Sequence, residues 1–107
     1  MQYTPESVQE GYQLLETHLQ RAGLTPNPLE QVTWEDLKAW LESGVRYLLD
    51  ENMEALLQLC YRVDLPESRV TEILSVSAPD AVAGDLAELI LEREMQKVYF
   101  RAKYRNR

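Results

Sequence analysis

Met53-Glu54-Ala55-Leu56-Leu57-Gln58-Leu59-Cys60-Tyr61-Arg62-Val63 is the most densely apolar stretch of the chain. Wound as a helix, it carries Leu56, Leu59, Cys60 and Val63 on one face and Met53, Leu57 and Tyr61 on an adjoining one. A helix apolar over so much of its circumference is normally covered by neighbours on several sides. The stretch is therefore expected to be the buried central helix, about 53–63, of an all-α bundle. Leu56, Leu59 and Cys60 should be almost fully buried.

The segments on either side supply the helices that would cover it. Upstream, Thr33-Trp34-Glu35-Asp36 has a capping hydroxyl with a carboxylate three residues on, which starts a helix. Its inner face is Trp34, Leu37, Leu41, Val45 and Leu48, flanked by Trp40 and Leu49. Gly44 in the middle marks a kink or a close contact with another helix, and Asp50-Glu51-Asn52 ends the pattern and caps the next helix. Further upstream, Thr4-Pro5-Glu6 starts a first helix. In it Val8, Tyr12, Leu15, Leu19 and Ala22 recur at steps of three and four before Gly23 stops it. Between these two helices, Thr25-Pro26-Asn27-Pro28 excludes regular helix and reads as an extended connector.

Downstream, Asp64-Leu65-Pro66-Glu67 makes a tight corner with Pro66 at a first helical position. A short helix follows with Val70, Ile73 and Leu74 inward. Ser77-Ala78-Pro79-Asp80 then opens a fifth helix with Val82, Leu86, Leu89, Ile90 and Leu91 on its apolar face. Past Arg93 the stripe thins to Met95, Val98, Tyr99, Phe100 and Tyr104. No segment alternates with period two and no hairpin dipeptide occurs. The expected architecture is a compact bundle of four to five helices, one domain over residues 1–107 with a basic C-terminal extension at about 97–107.

At 107 residues the chain can bury a real core without disulfides or metal. A single cysteine excludes an internal disulfide framework and suits a reducing compartment. The N-terminal residues have neither a basic nor an apolar region of signal-peptide type, and no apolar run approaches the roughly 20 residues that span a bilayer. A cytoplasmic location is expected, with no membrane partner. The net charge of −7 disfavours general affinity for nucleic acid or anionic lipid. The charge is unevenly spread: Arg93, Lys97, Arg101, Lys103, Arg105 and Arg107 stand against Glu94 alone. Residues 93–107 thus carry +5, and residues 1–92 carry −12.

The usual catalytic constellations are not readable. His18 is the sole histidine and Cys60 the sole cysteine, which leaves no zinc site of the usual types. Asp85, Glu88 and Glu92 share helical spacing but lack the accompanying histidine of a di-metal bundle site and read as a solvated acidic face. A nucleophilic pair of Cys60 and His18 needs an accessible thiol, whereas Cys60 reads as core and His18 as surface or half-buried. The four glycines are scattered, so no phosphate loop is formed. The corner at 63–66 superficially suggests a helix-turn-helix, but the following helix offers Glu67 and Glu72 where phosphates would lie. No catalytic residue, metal or cofactor is expected, and the protein is read as a non-enzyme.

The one stretch suited to function is Lys97-Val98-Tyr99-Phe100-Arg101-Ala102-Lys103-Tyr104-Arg105. Aromatics interleaved with cations bind partner surfaces and, in other settings, phosphate backbone and stacked bases. The plain alternatives are a helix end whose aromatics pack on the body, or one whose cations lie against the acidic body. Candidate partner contacts are therefore Lys97, Tyr99, Phe100, Arg101, Lys103, Tyr104 and Arg105.

The runs 57–67 (Leu-Gln-Leu-Cys-Tyr-Arg-Val-Asp-Leu-Pro-Glu), 85–94 (Asp-Leu-Ala-Glu-Leu-Ile-Leu-Glu-Arg-Glu) and 95–98 (Met-Gln-Lys-Val) resemble a group of short, all-helical bacterial proteins of Bacteroidetes-like genomes. The resemblance covers roughly the second half of the chain. It implies no activity and no functional residues. The expected function is a small protein-interaction domain acting on a protein partner or by self-association as a homodimer, with nucleic-acid binding through 93–107 as the alternative. The dimer expectation rests on the stripe of the first helix and on a surplus of aromatics: Tyr3, Trp34, Trp40, Tyr47, Tyr99, Phe100 and Tyr104.

Overall fold

The structure, a computed structural model, describes residues 3–25, 28–29 and 32–105, the side chain of Arg105 excepted. Five helices follow one another: α1 (Pro5–Arg21), α2 (Trp34–Glu51), α3 (Met53–Val63), α4 (Glu67–Val76) and α5 (Val82–Arg105). The described residues form no strand. The fold is the expected all-α bundle, with a radius of gyration of 13.6 Å.

Local chemistry sets most of the boundaries. Thr4 Oγ1 accepts from the Ser7 amide, Thr33 Oγ1 from the Asp36 amide and Asn52 Oδ1 from the Ala55 amide, each at 3.1 Å. One otherwise orphaned donor is satisfied at each helix start. At the end of α1, Gly23 takes the left-handed conformation with φ +92°. Its amide donates to the Gln20 carbonyl while the Leu24 amide donates to that of Leu19, a Schellman ending. The end of α3 repeats this bonding with Asp64 at the left-handed position, φ 67°. Asp tolerates that region better than most side chains, and Arg93 Nη2 donates to its Oδ2 at 3.1 Å.

Two boundaries differ from the sequence reading. Pro66 is the residue before α4 rather than its first. The helix after Ser77 begins only at Val82, because residues 79–81 form a turn in which the Ala81 amide donates to the Ala78 carbonyl. Ser77 instead closes α4 and donates its hydroxyl to Asp85 Oδ2 at 2.7 Å, across that turn.

Side-chain pairs fix how the helices run. His18 meets Glu94 and Glu10 meets Arg101, so α1 and α5 are antiparallel. Lys38 reaches Glu88, and Glu42 lies over Gly84, so α2 is antiparallel to α5 as well. The connector after α1 therefore returns along the bundle. It is fastened where the Leu29 amide donates to Tyr12 Oη, which in turn donates to Glu16 Oε2, both at 3.0 Å. Pro26 and Asn27 lie outside the described residues.

The centre of the bundle is α5. It packs against each of the other four helices, and Ala83, Leu86, Ala87, Ile90, Leu91, Glu94, Met95 and Val98 are all buried. The expectation of a central α3 is thereby corrected. Leu56, Leu59 and Cys60 are buried as expected, together with Ala55 and Val63. The adjoining face, however, opens to solvent, with Tyr61 86% exposed, Leu57 45% and Met53 42%. An 11-residue helix of about 16 Å touches fewer neighbours than the 24 residues of α5, about 36 Å long. Length and position decide centrality here, and local apolar density does not.

The stripe of α1 is buried within the single chain, so it offers no dimer surface. Trp34 stacks on Tyr3 at 5.3 Å and Trp40 packs edge-on to Tyr12 at 5.0 Å. The rings of Tyr3, Trp34 and Trp40 are half-buried and lean on the core. The surplus aromatics that stay exposed are Tyr47, Tyr99, Phe100 and Tyr104. Gly44 provides ordinary close packing: a Cβ there would stand 3.4 Å from Leu19 and 3.5 Å from Leu24. The tighter approach is at Gly11, where an added Cβ would come within 2.5 Å of Met95 Sδ. This glycine lets α5 lie against α1.

Candidate functional site

The α1–α5 seam and the outer side of the α5 end hold the chemistry of the molecule. Along α5 the buried positions step by three and one, from 83 and 86–87 through 90–91 to 94–95 and 98. Glu94 therefore falls within the apolar stripe and is 1% exposed. Burying a carboxylate is costly unless it is paired. Two partners converge on Glu94 Oε1: His18 Nε2 from α1 at 3.2 Å and Lys97 Nζ from the next turn of α5 at 3.3 Å.

His18 is half-buried, one of the two placements its sequence position allows, and burial pushes its pKa below the usual value. Glu94 pulls the other way but is opposed by the positive charges of Lys97 and Arg21. His18 Nδ1 is buried and has no hydrogen-bond partner among the described residues. The neutral imidazole with its proton on Nε2 suits this site, since Nε2–H then donates to Glu94 and Nδ1 is left as a weak acceptor. A second proton would create a buried donor with nothing to receive it. The group is arranged to hold two helices together, with the imidazole kept neutral.

The residues singled out at the end of the chain fall into two sets. Lys97 and Arg101 face α1, the first bonded to Glu94 and the second 3.6 Å from Glu10 Oε1. With Arg93 bonded to Asp64, three of the basic side chains of this segment lie against carboxylates, Asp64 and Glu10 in the body and Glu94 within α5 itself. Tyr99, Phe100, Lys103 and Tyr104 are exposed. Tyr99 and Phe100 meet edge-on at 5.5 Å, so two large rings support each other at the surface. Arg105 is the last residue of α5; its side chain, Asn106 and Arg107 lie outside the described residues.

Two further features are a buried thiol and a surface groove. Cys60 is buried among leucines, and burial pushes its thiol up to about 11, so it carries no thiolate at neutral pH. A groove of about 770 Å³ runs between the end of α1, the connector and α2, past Leu19, Leu29, Trp40 and Tyr47, with Asp36 as the carboxylate of its lining. Among the described residues no three His, Cys, Asp or Glu side chains are grouped to hold a metal ion, and no helix is long and apolar enough to cross a membrane. No protein-family model, curated protein or solved structure matches the chain.

The burial of Glu94 is not anticipated in the sequence, where the residue counts only as the lone acid of a basic segment. Extending the spacing of Ala83, Leu86, Ala87, Ile90 and Leu91 by one turn lands on Glu94 and Met95, and a carboxylate at that position is the signal that reveals it.

Proposed function

We propose that the protein is a small non-enzymatic interaction domain, and that the outer face of the α5 end is its contact surface for a partner protein. The observation that carries this reading is the pair of exposed, mutually packed rings of Tyr99 and Phe100, with Tyr104 and Lys103 beside them. Rigid aromatic side chains bordered by cations suit an acidic surface with an apolar centre, and aromatics dominate the energetics of protein contacts. Nucleic acid is the weaker reading. Lys97 and Arg101 already lie against Glu94 and Glu10, which lowers the charge offered to phosphate.

A photo-crosslinking residue in place of Phe100, introduced in the native cells, tests the reading against the same residue in place of the exposed Glu72 on α4. A discrete protein adduct is expected from position 100 and not from position 72, and Lys103→Glu should weaken it. Equal labelling from both positions, or none, overturns the proposal. A shift of labelled RNA or DNA at low salt that fades as salt rises would move the function to nucleic acid.

A further inference from the structure

We infer that α3 is a self-association surface, on which two copies of this chain dock in antiparallel, two-fold fashion. This deepens the reading of an interaction domain and rests on it only in treating exposed apolar surface as contact surface. The site itself is separate from the α5 end.

The outer side of α3 consists of two rows, each stepping by four residues. Met53, Leu57 and Tyr61 form the apolar row, and Glu54, Gln58 and Arg62 form the polar one; all six are exposed. Rows of this spacing are the ridges by which helices interlock. The polar row runs acid, amide, base along the helix. A two-fold axis perpendicular to the helix brings polar row against polar row and reverses its order. Glu54 of one copy then faces Arg62 of the other, twice, and Gln58 faces its own counterpart. In the apolar row, Leu57 meets Leu57 and Met53 meets Tyr61. The face is thus complementary to itself in shape class and in charge, as a two-fold contact requires. Within the chain neither Glu54 nor Arg62 has an ion-pair partner among the described residues, whereas Arg46, Arg93, Lys97 and Arg101 all do.

Two helices of about 16 Å cover less than the roughly 800 Å² per partner of a standard interface. An interface of that size falls in the weak, transient class.

Sedimentation equilibrium of the full chain between about 1 μM and about 1 mM reads the association directly. The wild type should shift from monomer to dimer with concentration, and Leu57→Glu should stay monomeric. Arg62→Glu should weaken association about tenfold or more, because it sets Glu54 against a second carboxylate. The double variant Glu54→Arg, Arg62→Glu should restore it, since the swapped charges face each other again. These positions are exposed, so helix content and melting temperature by circular dichroism should stay near wild type; if Leu57→Glu fails to fold, the charge pair alone decides. A monomer at every concentration overturns the inference, as does a dimer indifferent to Arg62→Glu. So does a dimer lost in Phe100→Glu and kept in Leu57→Glu, which would place self-association at the α5 end. A failure of crosslinking at position 100 leaves this result untouched.

Discussion

Helices α3 and α5 exchange the roles that their compositions suggest. The denser apolar helix, α3, buries one side and leaves Met53, Leu57 and Tyr61 in solvent. The longer α5, with acids and bases along its length, supplies the centre of the bundle and encloses a carboxylate. The comparison separates two uses of apolar surface. On α5 a regular spacing is matched by helices on several sides. On α3 the inner residues complete the core, and the outer ones, Met53, Leu57 and Tyr61, stay exposed.

The largest effects should come from the centre. Ile90→Ala should destabilise the fold by about 2–5 kcal/mol, the usual range for emptying a packed core position. Leu57→Ala in the monomer should change it by no more than about 0.5 kcal/mol. Chemical denaturation of both at a concentration that keeps the protein monomeric checks the pair, and comparable losses would break the distinction between the helices. Gly11→Ala should cost about 1–3 kcal/mol despite the better helix former, because the new methyl displaces Met95 in the core. Its counterpart Gly84→Ala meets only Glu42, with Oε1 at 2.9 Å on a flexible side chain. It should gain up to about 1 kcal/mol in thermal or denaturant unfolding.

Glu94 sharpens the comparison further, being a polar group at the centre. Its partners are partly solvated, so they repay only part of the cost of burying it. Replacing the whole group, Glu94→Met with His18→Leu and Lys97→Met, should leave stability within about 1 kcal/mol of wild type or raise it, measured by denaturant unfolding at neutral pH. A loss of several kcal/mol would make the Glu94 contacts net stabilisers of the fold.

The smallest effect concerns His18. Unfolded, its imidazole takes up a proton near 6.5; folded, it does so only at lower pH, chiefly because it is buried. Between those two points the unfolded chain holds more protons, so stability falls as pH drops below about 6.5. His18→Gln should flatten that slope in melting temperatures taken from about pH 7.5 to about pH 5.5. An unchanged slope would assign the acid sensitivity to other groups.

Much of the fold is legible in the sequence because it is encoded locally. Thr4, Thr33 and Asn52 each cap the helix that follows them, and Gly23 ends α1 through a conformation that favours glycine. The single stripes of α1 and α2 need no knowledge of their neighbours. What is not legible depends on neighbours. Which helix lies in the middle is set by how five elements assemble, and Ala83 and Ala87 hardly register as apolar until another helix is seen against them. At the candidate site, the interleaving of aromatics and cations marks the end of α5 but leaves open which side chains face the body. Lys97 finds its carboxylate, Glu94, within α5 itself, and only the antiparallel pairing of α1 with α5 gives Arg101 its acidic partner and turns Tyr99 and Phe100 outward.

The position of α5 in the chain bears on how the protein is made. It follows the four helices that it joins, so a growing chain contains α1 to α4 before their common neighbour exists. At translation speeds of about 5–20 residues per second, the 24 residues of α5 take roughly one to five seconds to appear. Throughout that interval Leu15, Leu41 and their neighbours lack the helix that completes their cover. A chain that stops before Val82 should therefore be far more open to limited proteolysis than the full chain, with α5 as the element that closes the core.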